Sequence, residues 1–190
     1  SISALALSQL EIVAPTRSSS APYLREHREE GMKLTVRTVF EAPAQLIWDE
    51  ARRPRLLTYV AAPMQVFEPL VPATLPELWA EGRYLVRLWL LGVLPLGKQW
   101  IVVSYPDAEL HARSEYTLRD RGYGDLITIW DHLITITARP DGRTDYCDEV
   151  EIRAGLMTPF IWCFAWTFYR HRQRRWRRLV ANGFDYRGRR

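Results

Sequence analysis

From residue 33 onward, apolar and polar positions alternate in short segments that predict β-strands. Leu34, Val36 and Phe40 fall on one side of the first segment, 33–40, and mostly polar residues fall on the other. This period of two is typical of a strand with one buried face. Short turns between successive segments indicate antiparallel neighbours. Further strands are predicted over 64–70, 83–91, 99–105, 109–118, 126–138 and 143–153, with turns at 92–97 and at Gly122 to Gly124.

Two short helices are predicted between the first strand and the second. Pro43 opens a helix over 44–51, because proline suits a first helical turn. Pro54 starts another helical stretch that ends near Val60. These helices separate the first strand from the rest of the series, so the first strand need not pair with the strand that follows it.

One long helix follows the last strand. Thr158 is predicted as its N-cap, Pro159 as its first residue and Asn182-Gly183 as its stop signal. One stripe of this helix is apolar at helical spacing and should cover the concave face of the sheet. The elements together predict an α+β fold, in which a curved antiparallel sheet of about six or seven strands wraps around the long helix and leaves a pocket. The stripe consists of Phe160, Ile161, Phe164, Phe168, Trp176, Leu179 and Val180.

A second aromatic stripe is predicted on another side of the helix, where Trp162, Trp166 and Tyr169 follow each other at i, i+4 and i+7. A helix that covers one sheet does not need two aromatic faces. In one interpretation a loop or residues 1–31 cover this stripe. In the others the stripe, with the arginine cluster from Arg170 to Arg178, forms a homodimer contact or a membrane-surface contact.

The turn Pro140-Asp141-Gly142 sets the register of the last two strands. Proline at its first position and glycine at its third fit a three-residue hairpin loop. Ile134 then lies opposite Asp148, and His132 lies opposite Val150. The face that they share is apolar except for the imidazole, the carboxylate and one tyrosine hydroxyl, so it should be the concave face.

His132 and Asp148 are the candidate pair for chemistry in the pocket. As diagonal neighbours they come within reach of each other, and a carboxylate beside an imidazole raises the histidine pKa and fixes its tautomer. Such a pair orients a ligand carbonyl or hydroxyl, or moves a proton; alternatively it is a buried pair that satisfies only itself. Aromatic residues of amphipathic strands equally serve the core. The predicted ligand-binding residues are Tyr84, Trp100, Tyr116, Trp130, His132, Tyr146, Asp148, Phe164 and Phe168.

Charge is distributed unevenly along the 190 residues. Residues 170–190 carry nine Arg and one Asp, a charge of +8, and the other 169 residues carry 17 basic and 21 acidic groups, a charge of −4. A basic helix end either offsets the helix dipole in solvent or meets an anionic partner. The predicted organisation is an N-terminal extension (1–31), a helix-and-sheet domain (32–183) and a basic tail (184–190).

Several classes of protein find no support in the sequence. The two cysteines, Cys147 and Cys163, lack a CxxC motif or a His/Cys cluster, so neither a zinc site nor a disulfide framework is predicted. There is no phosphate-binding glycine loop, dinucleotide fingerprint or nucleophile motif, and we expect no cofactor, no metal and no nucleic-acid partner. The sequence shows no signal-peptide pattern, and its longest apolar run, 156–169, is shorter than a membrane span; both predict a cytoplasmic protein.

Three stretches of the chain match a known family pattern. They are 40–43 (FEAP) with Trp48; 130–132 (WDH) with 141–144 (DGRT) and 148–150 (DEV); and 169–172 (YRHR) at the end of the long helix. These stretches resemble the SRPBCC superfamily, which includes START domains, polyketide cyclases and aromatases, and birch-pollen-allergen-like proteins. The likeness covers about residues 33–183 and implies the helix-grip fold.

The resemblance implies a cavity that binds a small hydrophobic ligand, lipid-like or polyketide-like, between the sheet and the C-terminal helix. A first alternative is a polyketide cyclase- or aromatase-like enzyme in which His132 and Asp148 act as the acid–base pair. A second alternative is an interaction module that docks through its basic, aromatic C-terminal helix.

Overall fold

A sheet of antiparallel strands faces a long C-terminal helix in the computed structural model, which describes residues 31–106 and 115–187. The elements are β1 (Met32–Phe40), α1 (Ala44–Ala51), α2 (Pro54–Ala61), β2 (Gln65–Val71), β3 (Gly82–Leu90), β4 (Leu94–Ser104), β5 (Glu115–Gly124), β6 (Ile129–Ala138), β7 (Thr144–Arg153), a 3-10 turn (Gly155–Met157) and α3 (Thr158–Ala181). The seven strands follow the order β1-β7-β6-β5-β4-β3-β2. The predicted α+β architecture is confirmed. The predicted N-terminal extension, 1–31, lies outside the described residues except for its last position.

The hairpin between β6 and β7 has the register that its turn residues predict. Gly142 adopts φ 81, and its backbone N–H donates to the Arg139 carbonyl at 3.1 Å. Asp148 pairs with Ile134 and is therefore diagonal to His132. Because β7 also pairs with β1 along its whole length, the candidate pair lies between strands that are held on both sides.

Strand β5 differs from the prediction in position. It extends to Gly124, so Gly122 lies inside a strand where the pattern predicts a turn. The reason is steric: a Cβ at Gly122 would come within 2.8 Å of the Trp100 carbonyl oxygen. Glycine at this position permits a close approach of β4 rather than a chain reversal. The first part of the predicted strand, 109–114, lies outside the described residues.

Three aromatic rings join the sheet to α3. Phe40 of β1 packs on Tyr146 of β7 with ring centroids 5.4 Å apart, and Trp176 of α3 packs on both, at 4.9 and 4.7 Å. All three rings are almost fully buried, and Ile47 and Val60 bring α1 and α2 onto the same core. This core fills the space between the sheet and the C-terminal half of α3.

Helix α3 has the ends that its sequence predicts, to within one residue. The Thr158 hydroxyl accepts a hydrogen bond from Ala154 N at 2.9 Å and donates to the Gly155 carbonyl at 2.8 Å, which fastens the helix start to the preceding turn. At the other end Gly183 adopts φ 62, a left-handed conformation that ends a helix easily when the residue is glycine. Among the described helices, none combines the length and apolar composition that crossing a membrane requires.

The second aromatic stripe predicted for α3 is not a separate surface. Tyr169 is only 1 % exposed and belongs to the core, which contradicts its assignment to an outer face. Trp162 is half-buried, and its Nε1 donates to the Lys33 carbonyl of β1 at 2.8 Å. Trp166 is exposed, with the Arg170 guanidinium 4.0 Å from its ring centroid. The edge strand β1 reaches the second side of the helix, so the three aromatic residues do not form one docking face.

We expect Phe40→Ala to lower the free energy of unfolding by about 3–4 kcal/mol, because it leaves a cavity between two buried rings. Urea unfolding followed by tryptophan fluorescence measures the change. Val39→Thr, at the neighbouring exposed position, is the control and should change the free energy by less than about 0.5 kcal/mol. A loss for Phe40→Ala no larger than that of the control would contradict the packing described here.

Candidate functional site

A cavity of about 310 Å³ lies between the sheet and the N-terminal half of α3. Strands β2 to β6 supply one wall, and α2 and α3 supply the other. Aliphatic and aromatic side chains make up most of both walls, so the cavity is a mostly apolar space. The apolar lining includes Leu57, Phe67, Leu88, Leu90, Leu96, Ile101, Ile127, Trp130, Ile161, Phe164 and Phe168.

The outer rim of the cavity is also apolar. Leu126, in the loop before β6, Met157, in the 3-10 turn before α3, and Phe160, in the first turn of α3, line the cavity and are exposed to solvent. Phe160 is 70 % exposed, although the sequence pattern assigns it to the stripe that covers the sheet. It lies in the first turn of α3, at the edge of the cavity.

Polar side chains gather at the inner end of the cavity. Asp120, His132 and Arg172 line it, and the same three residues line a smaller cavity of about 50 Å³ that reaches into the main core. These three residues, here called the polar partition, border both cavities, as do Leu57 and Ile101. Other lining residues with polar side-chain groups include Gln65, Lys98, Gln99 and Tyr169.

Asp120 enters the partition because the β4–β5 ladder opens beside it. Val103 pairs with Asp120 and Trp100 pairs with Tyr123, but the positions between them are not paired. The Asp120 Oδ1 accepts a hydrogen bond from the Val102 backbone N–H at 2.7 Å, in place of a strand neighbour. Burial raises the pKa of Asp120 to about 7 against the opposing effect of this hydrogen bond.

His132 and Asp148 are in direct contact, as the register predicts. The His132 Nε2 lies 2.8 Å from the Asp148 Oδ1. The same oxygen accepts a hydrogen bond from the Tyr146 hydroxyl at 2.7 Å, and the other oxygen accepts one from the Gln173 Nε2 at 2.9 Å. Gln173 also donates to the Val36 carbonyl at 2.8 Å. Asp148 is therefore fully engaged behind His132, which itself faces the cavity.

Burial reverses the pKa change that the sequence pattern predicts for His132. Desolvation lowers the pKa of His132 and outweighs the raising effect of Asp148. Burial acts on Asp148 in the raising direction, but the hydrogen bond from His132 and the charge of Arg172 together lower its pKa. We therefore assign a neutral imidazole whose Nε2–H donates to an ionised Asp148.

Arg172 is the one charged residue of α3 that belongs to the cavity wall. It is 8 % exposed, and its guanidinium lies 4.8 Å from the ring centroid of Tyr169. Burial opposes its charge, but Asp148 and Tyr169 raise its pKa overall. In the described part of the chain no carboxylate oxygen lies within 4.0 Å of it. Arg172 therefore departs from the interpretation in which the arginine residues of this helix end stay in solvent. The exposed arginine residues of this helix end are Arg170, Arg174, Arg177 and Arg178.

Four of the predicted ligand-binding residues line the cavity, namely Trp130, His132, Phe164 and Phe168. The other five lie elsewhere. The Tyr84 hydroxyl donates to the Ala80 carbonyl at 3.0 Å, Trp100 packs on Tyr123, and the Tyr116 hydroxyl donates to Gln45 at 2.7 Å. Tyr146 is in the aromatic core, and Asp148 lies behind His132.

Two members of the polar partition, Asp120 and Arg172, are absent from the predicted ligand-binding residues, although the pattern contains a signal for each. Asp120 has the same strand parity as Leu118 and so points to the concave face. Arg172 follows Phe164 and Phe168 at intervals of four residues and so belongs to the apolar stripe. Within the described residues no group of His, Cys, Asp and Glu side chains could hold a metal ion.

Known proteins share the fold of this chain rather than its sequence. No family model and no curated protein match it. A START superfamily protein from Mycobacterium smegmatis matches with a TM-score of 0.57 at 12 % identity, over 79 % of this chain and 97 % of that one. The Zhui aromatase/cyclase from Streptomyces sp. R1128 matches with a TM-score of 0.53 at 14 % identity, over 84 % and 97 %. Hypothetical protein jhp0584 from Helicobacter pylori gives 0.58 at 8 %, over 90 % and 99 %.

These matches define a class of structure. A seven-stranded antiparallel sheet, two short helices after its first strand and a long C-terminal helix make up an α+β helix-grip domain. The chain therefore has the helix-grip fold, which it shares with a START superfamily protein and an aromatase/cyclase. The fold that the sequence resemblance implies is confirmed.

We expect Asp148→Asn to lower the free energy of unfolding by about 3 kcal/mol, because breaking a buried charged network leaves its partners unpaired. The amide would place N–H groups against a donor, and Arg172 would lose the negative charge that most raises its pKa. Chemical denaturation at pH 7 measures the change. Glu149→Gln, the next residue on the exposed face of β7, is the matched control; equal losses in the two variants would contradict this network.

Asp120→Asn should stabilise the protein relative to wild type, and more at pH 8 than at pH 5. The folded pKa of about 7 lies above the unfolded value, so stability falls as the pH rises from the unfolded to the folded pKa. One pKa unit corresponds to about 1.4 kcal/mol, so the relative gain between these pH values should be roughly 2–3 kcal/mol. Urea unfolding at both pH values tests this, and a difference that does not change with pH would refute it.

Proposed function

We propose that this protein binds a small, mostly apolar molecule in the cavity between the sheet and α3. The observation that carries the proposal is the cavity of about 310 Å³, with apolar walls and polar groups gathered at one end. Small-molecule sites are typically concave and mostly apolar with a few placed polar groups, and their volumes start at about 300 Å³. The cavity has both properties.

The apolar rim supports the same proposal. Leu126, Met157 and Phe160 extend the apolar surface from the cavity to the solvent. Exposed apolar patches often mark ligand-binding grooves, and this patch continues into a cavity. An apolar molecule that approaches this rim would meet no charged barrier from these three side chains.

The structural neighbours favour this function without selecting the ligand. A START superfamily protein and an aromatase/cyclase share the fold, and the resemblance in sequence implies lipid-like or polyketide-like ligands. Because one fold hosts many functions, the proposal depends on the cavity of this chain and its lining.

Native mass spectrometry of the purified protein, followed by solvent extraction and identification of the bound molecule, tests the proposal directly. We expect one apolar molecule per chain in the native spectrum, or a rise in melting temperature with added apolar compounds. An unliganded spectrum together with an unchanged melting temperature across lipid-like and polycyclic compounds would count against a binding function.

Ile161→Trp should block the cavity. Ile161 is half-buried on the cavity face of α3, so a larger side chain there occupies ligand space. We expect at least a tenfold loss of affinity for any molecule that wild type retains, a change of about 1.4 kcal/mol. Thr167→Trp places the same side chain on the exposed face of the same helix and should leave affinity unchanged. Equal affinity in both variants would place the ligand outside this cavity.

A second candidate function is acid–base catalysis on a bound aromatic or polyketide-like substrate. It is favoured by Asp120, whose pKa of about 7 suits proton transfer at neutral pH. His132 faces the same cavity, and Asp148 would act as a positioning residue for His132. If the protein is such an enzyme, Asp120→Asn should retain a different molecule from wild type after expression in the same cells, as liquid chromatography and mass spectrometry would detect. Identical extracts would argue for binding alone.

A further inference from the structure

The polar partition presents hydrogen-bonding capacity that the described protein groups do not use. Arg172 is 92 % buried, as its 8 % exposure gives, and it lines both cavities. Its guanidinium has five N–H donors. The Tyr169 side chain accepts from this group and the Asp148 charge compensates it in part, but no described carboxylate oxygen lies within 4.0 Å to accept from the remaining donors. Buried cations are normally paired. A ligand oxygen at this point would accept hydrogen bonds from the guanidinium N–H groups.

Asp120 presents an acceptor to the same two cavities. One of its oxygens accepts the Val102 N–H, and its other oxygen has no protein donor in the described residues. At pH 8, above its pKa of about 7, the group is mainly a carboxylate. The inner end of the cavity thus combines a cationic donor with an anionic acceptor.

The charges of Arg172 and Asp120 favour some polar groups of a ligand over others. A ligand carboxylate would accept from Arg172 but would bring a further negative charge beside Asp120 and Asp148. A ketone would also accept from Arg172, but it would leave the Asp120 oxygen without a donor. A hydroxyl both accepts and donates and adds no charge, so it matches both residues.

We propose that the inner end of the cavity recognises a hydroxyl group on an otherwise apolar ligand, with Arg172 donating a hydrogen bond to the hydroxyl oxygen and Asp120 accepting a hydrogen bond from the hydroxyl O–H. This proposal rests on the proposed binding function and adds the chemical class of the ligand. His132, held neutral against Asp148, forms the adjoining wall without adding a charge.

Three probes with one carbon skeleton test the proposal, namely 2-naphthol, 2-naphthoate and naphthalene. Their dissociation constants for the full chain are measured by equilibrium dialysis at pH 8. We expect 2-naphthol to bind at least tenfold more tightly than either of the others. The same comparison with 1-decanol, decanoate and decane extends the test to a flexible skeleton, and the alcohol should again bind most tightly.

Two variants locate the effect at the partition. Arg172→Met keeps an unbranched side chain without donors, and Asp120→Asn keeps the acceptor for Val102 but removes the charge. In each variant the advantage of 2-naphthol over naphthalene should fall below about threefold, a change of less than about 0.7 kcal/mol, while naphthalene binds as in wild type. Arg174→Met, at an exposed position of the same helix, is the control and should keep the tenfold advantage. If Arg172→Met does not fold, Asp120→Asn alone carries this part of the test.

The outcomes separate this inference from the proposed function. If 2-naphthol and naphthalene bind equally well and Ile161→Trp abolishes the binding of both, the proposed recognition of a hydroxyl group is wrong, but the cavity remains the binding site. Tighter binding of 2-naphthoate than of 2-naphthol would overturn the proposed hydroxyl recognition and indicate a site for carboxylic acids. Failure of all six probes to bind would overturn both proposals.

Discussion

One buried carboxylate, that of Asp148, joins the sheet, the long helix and the cavity wall. Its oxygens accept hydrogen bonds from His132 of β6, Tyr146 of β7 and Gln173 of α3. Gln173 continues the connection to the Val36 carbonyl of β1. A buried carboxylate is costly unless it is hydrogen-bonded and compensated, so these elements can hold the charge only in one mutual arrangement. The orientation of His132 at the cavity follows from that arrangement.

The fold could be predicted because its signals are local. A period of two along the strands and the residues of the turn at 140–142 determine which side chains share a face, and the observed pairing of β6 with β7 agrees. The end of β5 could not be predicted in this way. Gly122 is compatible with a turn or with a close neighbour, and only the position of the Trp100 carbonyl decides between them. That position depends on a strand distant in sequence.

The site was predictable in part for a similar reason. The contact of His132 with Asp148 follows from strand register, but the direction of the His132 pKa depends on how much of the protein covers the imidazole. For Arg172, two signals in the sequence disagree. Its charge assigns it to the basic helix surface, whereas its spacing from Phe168 assigns it to the apolar stripe, and the structure follows the spacing.

The opening in the β4–β5 ladder gives the cavity a reporter in the backbone. The Val102 amide is held by the side chain of Asp120 rather than by a neighbouring strand. Exchange of that amide with deuterated solvent depends on how firmly Asp120 is held. A molecule that hydrogen-bonds to Asp120 and a molecule that contacts only the apolar walls should therefore change the exchange rate of the Val102 amide differently. The exchange rate of this one amide in the sheet therefore reports whether a molecule occupies the inner end of the cavity.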